Sequence, residues 1–173
     1  MGSLKEFSES VARFRQVTFD TSTCIFYFQE DSPHNEAVSQ VIRSAVAGKL
    51  MIELPGIVQL ELMVKPFMTG DPAHMKAVRS FIDRMPGIVS SDVTRDVVLA
   101  GAAIRALVGL KAPDALVVAS AAVHGSDAII GSDRRFSRLN GEAPTVLTLA
   151  GRALHLPSFI DLDEMGQRSG STK

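Results

Sequence analysis

The chain has 173 residues, 46% of them hydrophobic, a length that suits one domain and an apolar content that excludes a disordered protein. Its 18 basic and 19 acidic residues leave a net charge of -1, so no bulk positive field holds nucleic acid and any such function must rest on a local site. The longest uncharged run, 115–126, is far short of the ~18 apolar residues a membrane span needs. The N-terminus lacks a signal-peptide core, and the single Cys24 makes no internal disulfide, so a cytoplasmic protein is expected.

From residue 17 to 150, short β-rich runs alternate with helical patterns, which predicts α/β architecture with helices on both faces of a mostly parallel sheet. Val17-Thr18-Phe19 reads as a buried strand with Asp20 at its carboxyl end, and residues 24–28 turn into a helix. Ala37, Val38, Val41, Ile42, Ala45 and Val46 recur at helical spacing before Gly48. Residues 50–54 predict a second strand, stopped by Pro55-Gly56, and residues 57–67 an apolar helix containing Glu61. Asp71-Pro72 caps a helix whose stripe is Ala73, Ala77, Val78, Phe81, Ile82 and Met85.

Ile88-Val89 is a short strand. Residues 97–110 are apolar nearly all round, with Arg105 the one charge, and predict a helix buried in the core. Pro113 and Asp114 suit the first turn of the next helix, Asp114 beside the positive end of its dipole. Ala128-Ile129-Ile130 is a strand ending at Gly131-Ser132-Asp133, residues 145–149 and 158–162 read as further strands, and GQRSGSTK as a frayed tail. The expected organisation is an N-terminal extension over 1–16, the α/β domain over 17–150, and a C-terminal extension over 151–173 carrying one further strand.

Ligands of open parallel sheets bind beyond the carboxyl ends of the strands. Asp20 and Asp133 follow apolar strands, Asp114 opens a helix after a tight turn, and Glu61 interrupts an apolar helix. Taken singly, each acid could serve as a cap, a dipole partner, a turn residue or a solvated charge; together they suggest one site. Carboxylates ~4 Å apart repel by ~4 kcal/mol at an effective dielectric near 20, so converging acids bind protons or a cation. An all-oxygen set favours Mg²⁺ or Mn²⁺, which can activate water and steady a phosphodiester during in-line displacement. That chemistry points to a nuclease.

The segments VTFDTSTCIFYF, IVQLELM, LKAPDALVVASAAV and AIIGSDRRFSRL carry Asp20, Glu61, Asp114 and Asp133 at intervals of 41, 53 and 19 residues. In this order and spacing the chain resembles the PIN-domain ribonucleases, and within them the VapC-like toxins of bacterial and archaeal toxin-antitoxin pairs. The resemblance implies a three-layer α/β/α fold that cuts RNA with one or two Mg²⁺ or Mn²⁺ ions. Asp20, Asp114 and Asp133 would hold metal directly or through water, while Glu61 completes the metal-binding set and orients the attacking water. It also implies a homodimer and an antitoxin that occludes the acidic pocket through a basic side chain.

Ser22 matches a small polar position supporting the first acid. Family members commonly place Thr or Ser two residues before the last acid; here Gly131 stands there, and Ser132 is the neighbouring hydroxyl. Ser22, Ser132, Arg134 and Arg135 are the candidate substrate-binding residues, the arginines for phosphates flanking the scissile bond. Asp127, at the far end of its strand, is expected to stay outside the site, and His34, His74, His124 and His155 form no ligand set. Two other functions fit some residues: an inactive PIN-like module for RNA or protein docking, and a phosphatase of the haloacid dehalogenase type using Asp20. The second needs an acid two residues after its nucleophile, where this chain has Ser22.

Overall fold

A computed structural model describes residues 4–140, 146–149 and 152–163. In chain order the elements are α1 (Leu4–Val11), β1 (Gln16–Phe19), α2 (Thr21–Phe28), α3 (Asn35–Val46), β2 (Met51–Pro55), α4 (Gly56–Thr69), α5 (Pro72–Arg84) and β3 (Ile88–Ser91). Then come α6 (Arg95–Val108), α7 (Ala112–His124), β4 (Ala128–Gly131), a 3-10 helix (Arg134–Asn140), β5 (Val146–Leu149), β6 (Arg152–His155) and β7 (Ser158–Asp161). Thr145 and the expected frayed tail lie outside the described residues.

Five strands form one sheet in the order β3-β2-β1-β4-β7, and every neighbouring pair is parallel. The chain steps outward from β1 through β2 to β3, then returns across the sheet to β4. Right-handed crossovers therefore put α2 to α5 on one face and α6 with α7 on the other, giving three α/β/α layers. The strand order reverses between β1 and β4, and the crevice beyond their carboxyl ends is where a sheet of this kind binds ligands. β5 and β6 make a separate antiparallel hairpin.

Local chemistry sets the helix ends. Asp20 caps α2 by accepting from the Thr23 N–H, Asp71 caps α5, and Thr94 caps α6. Gly109 and Gly125 close α6 and α7 with φ of 73° and 77°, the left-handed region in which a side chain is strained. At α5, Val78 and Phe81 are buried, whereas Ala73 and Ala77 of the expected stripe are exposed.

The two helices over residues 95–124 differ from expectation. α7 is the buried one, at Ala115 and from Val117 through Ala122. α6 buries only Val97, Ala100, Gly101 and Ile104 and exposes Val98, Leu99 and Leu107, so the expected all-round burial is corrected to burial of one face. The reason is layer order: α7 lies against the sheet and α6 packs outside it. Gly101 permits this approach, since a Cβ there would stand 3.2 Å from Leu116 Cδ2.

Both expected extensions contribute to the core. Phe7 and Val11 of α1 are buried, and β7 brings in Phe159 and Leu162 from beyond residue 150. No helix among the described residues is long and apolar enough to cross a membrane. One charged side chain lies deep in the sheet: Glu53 of β2, 2% exposed. Its Oε2 accepts from Thr18 Oγ1 at 2.5 Å and Ser126 Oγ at 3.0 Å. Its Oε1 accepts from Ser91 Oγ at 2.7 Å and Ser120 Oγ at 2.8 Å and stands 2.9 Å from His124 Nδ1. His124 is thus a structural partner, as its place at the end of an apolar helix suggests.

Candidate active site

Asp20 leaves β1 at the point where the strand order reverses, and capping α2 turns its carboxylate into the crevice. Its Oδ1 accepts from the Thr23 N–H and from Thr23 Oγ1, each at 2.7 Å, and Ser22 Oγ stands 2.9 Å from both carboxylate oxygens. Thr23 Oγ1 also reaches Ile130 O at 2.6 Å, tying α2 to β4. Burial nevertheless outweighs these contacts and pushes the Asp20 carboxyl up to about 6, with the charge of Asp133 adding to the rise.

Gly131, at the end of β4, has a steric role. A Cβ there would lie 2.5 Å from Asp20 Oδ2 and 3.2 Å from the Phe159 ring, so the carboxylate occupies the space a side chain would need. The hydroxyl on this segment stands one residue later, on Ser132. Ser132 Oγ and Ser22 Oγ are 2.9 Å apart, and Ser22 relays that contact to Asp20. Ser22 and Ser132, expected to bind substrate, are both placed to position Asp20.

Glu61 enters from α4, held by a hydrogen bond that Thr21 Oγ1 donates to its Oε2. Asp114 enters from the first turn of α7, where burial raises its carboxyl; Asp133 and Glu61 push the same way, and Arg135 opposes them. Asp133 follows β4 and is held low, above all by its hydrogen bond from Arg135. Asp20 and Asp114 thus both sense Asp133, and Asp114 also senses Glu61, so the structure brings all four acids into one electrostatic neighbourhood.

Arg135 does not stand apart as a free phosphate ligand. Its Nε lies 2.9 Å from both Asp133 oxygens, its Nη2 donates to Asp133 Oδ2, and its Nη1 lies 3.0 Å from Asp114 Oδ2. That last contact is an ion pair without hydrogen-bond alignment, so the buried Asp114 Oδ2 accepts no hydrogen bond. Arg134 is exposed. Asp127 stays outside the site, where its Oδ2 accepts the Arg15 and Gln16 N–H groups. Sequence reasoning missed Thr21, Thr23 and Lys111, whose charge lowers both Asp114 and Asp133. The hydroxyl-rich run Asp20-Thr21-Ser22-Thr23 was the signal for the first two.

The donor set suits a hard divalent cation: four carboxylates and a buried Asp114 oxygen with no hydrogen bond, while the one nearby sulfur, Cys24, is buried as a thiol whose pKa burial and the Asp20 charge push up. Among the described residues, no three Asp, Glu, His or Cys side chains stand close enough together to hold an ion as placed. A guanidinium bridges two of the acids instead.

A doubly wound α/β domain with four acids around its switch point defines a class, and the sequence falls within one family of that class. The chain belongs to the PIN domain family, whose model matches residues 17–142. No curated protein sequence matches it. Among solved structures, a toxin-antitoxin complex from Klebsiella pneumoniae aligns with TM-score 0.57 at 20% identity, over 73% of this chain and 92% of that one. VapBC-1 from nontypeable Haemophilus influenzae aligns with TM-score 0.56 at 11% identity, over 86% and 98%. VapC20 of Mycobacterium tuberculosis, a sarcin-ricin loop cleaving toxin, gives 0.52 at 13% identity, over 65% and 86%. At these identities the likeness is one of fold.

Proposed function

We propose that this protein is a cytoplasmic endoribonuclease dependent on Mg²⁺ or Mn²⁺, and the toxin of a toxin-antitoxin pair. The observation that carries this reading is the convergence of Asp20, Glu61, Asp114 and Asp133, from four different elements, beyond the carboxyl ends of β1 and β4. A divalent cation bound there would supply Lewis-acid activation of water and neutralise charge on the phosphate. The chain's own groups do the rest. Thr23 and Ser22 fix Asp20, Thr21 fixes Glu61 to orient and deprotonate water, and Arg134 with Lys111 offers positive charge to flanking phosphates.

The solved neighbours described as toxin-antitoxin complexes support an antitoxin partner, and a homodimer is part of the same proposal. Exposed apolar side chains give both partners something to cover: Leu60, Val64, Phe67 and Met68 run along α4 beside Glu61, and Val98, Leu99 and Leu107 stand on α6. The phosphatase reading is set aside by the family, and the second acid it needs two residues after Asp20 is Ser22 in this chain. A non-catalytic docking module remains the alternative outcome of the test.

The test is cleavage of a mixed RNA pool in Mg²⁺, Mn²⁺ or chelator. Asp20→Asn and Asp114→Asn are each expected to lower metal-dependent cutting about 100-fold or more. Asp127→Asn keeps an acceptor for the two N–H groups and is expected to cut normally. Absence of cutting by folded wild-type protein with either metal points to the docking module.

A further inference from the structure

Arg135 engages both acids on which a metal between α7 and the end of β4 would rest. Both oxygens of Asp133 are engaged: Oδ1 accepts from the Arg135 N–H and Nε, each at 2.9 Å, and Oδ2 accepts from Nε and Nη2. The same guanidinium reaches across to Asp114 Oδ2 at 3.0 Å and joins the start of α7 to the segment after β4. A cation coordinated by Asp133 and by Asp114 Oδ2 needs these lone pairs, so metal and guanidinium compete for them. The Arg135 side chain is 39% exposed, which leaves it a route to solvent, whereas the Asp114 side chain beneath it is only 17% exposed.

We propose that Arg135 is the internal counter-ion of the acidic pocket. It neutralises Asp114 and Asp133 when no metal is bound and is displaced when a divalent cation enters, so that it sets the metal affinity of the site. The inference rests on the reading that these acids bind a divalent cation, and it deepens that reading by naming what the cation must displace. A lysine would substitute poorly, because one ammonium cannot span two carboxylates as the planar fork does.

The test is calorimetric titration of Mn²⁺ into wild type, Arg135→Gln, Arg135→Lys and Arg134→Gln, with thermal melts of each in chelator and in saturating Mn²⁺. Arg135→Gln is expected to bind Mn²⁺ about five- to tenfold more tightly than wild type, the scale of one partly exposed ion-pair cluster. It is also expected to melt lower than wild type in chelator, with the gap closing in Mn²⁺. Arg135→Lys should fall between the two, and Arg134→Gln should bind within about twofold of wild type, separating local displacement from loss of one positive charge. Equal or weaker Mn²⁺ binding by Arg135→Gln overturns the counter-ion role while leaving the metal site intact. Absence of Mn²⁺ binding in every variant overturns the metal site as well. Displacement without RNA cleavage removes the nuclease reading alone.

Discussion

Asp20 is 5% exposed, and burial raises its carboxyl from 3.8 to about 6 despite the hydrogen bonds that favour its charge. A carboxyl raised on folding stabilises the folded state below its unfolded value, and that contribution is lost as pH rises through the folded value. Without metal, wild type therefore gives up on the order of 1–3 kcal/mol between about pH 4 and pH 7 on account of this group. Asp20→Asn, which keeps the Oδ1 acceptor, should be the more stable protein at pH 7.5 in chelator, with the difference gone at pH 4; denaturant melts at the two pH values decide it. Metal requires the ionised form, so Mn²⁺ affinity should fall about tenfold per pH unit below 6. Gly131 bears on the same carboxylate. Gly131→Ala puts a methyl 2.5 Å from Asp20 Oδ2, backed by the Phe159 ring at 3.2 Å. It should cost ~1–3 kcal/mol in a thermal or urea melt, as overpacked sites do, and weaken Mn²⁺ binding. A stable Gly131→Ala protein with normal Mn²⁺ affinity would show that the carboxylate has room to move.

At the scale of elements, Glu53 joins β1, β2, β3 and α7. Its five partners lie 35 to 73 residues away in sequence, so nothing local distinguished it from an ordinary strand residue. Removing it leaves four hydroxyls and an imidazole facing a void. Glu53→Ala should cost ~3 kcal/mol or more in urea unfolding, and Glu53→Gln clearly less, because an amide still accepts from several of these donors. Equal stability of Glu53→Ala and wild type would mean that water replaces the carboxylate. The elements that were legible carry their punctuation beside them: Asp20 before α2, Asp71-Pro72 before α5, Pro113 in the first turn of α7. Periodicity could not tell which of two apolar helices lies inside. α6 and α7 read alike, and only packing against the sheet puts α7 within and leaves Leu107 of α6 60% exposed. The bridge from Arg135 to Asp114 was hidden for the same reason. Each of the four acids could be found from strand and helix ends, but not what a neighbouring side chain does among them once the ends converge.

For the whole molecule, the question is where the domain ends. The family match stops at residue 142 and the pattern of alternating elements at 150, yet the sheet acquires its outer strand from residues 158–161. β7 pairs along all of β4, Leu162 N donates to Gly131 O at 2.7 Å, and Asn140 binds the Phe159 backbone from both its amide atoms. Phe159 packs on Phe136, with ring centroids 5.5 Å apart, and also backs Gly131, behind Asp20. A chain ending at residue 150 would expose the edge of β4, the strand that leads to Asp133, and uncover Phe136 and Ile130. It is expected to lose cooperative melting or to aggregate, since an uncovered apolar edge strand is a template for pairing with other chains. A chain ending at residue 163 keeps β7 and should melt like the full protein, with unchanged Mn²⁺ affinity. Cooperative melting of the 150-residue chain at the full-length temperature would instead make β7 an addition to a domain already complete at β4. Loss confined to Mn²⁺ binding would show that β7 acts chiefly through Phe159, by keeping Gly131 and Asp20 in register at the head of the crevice.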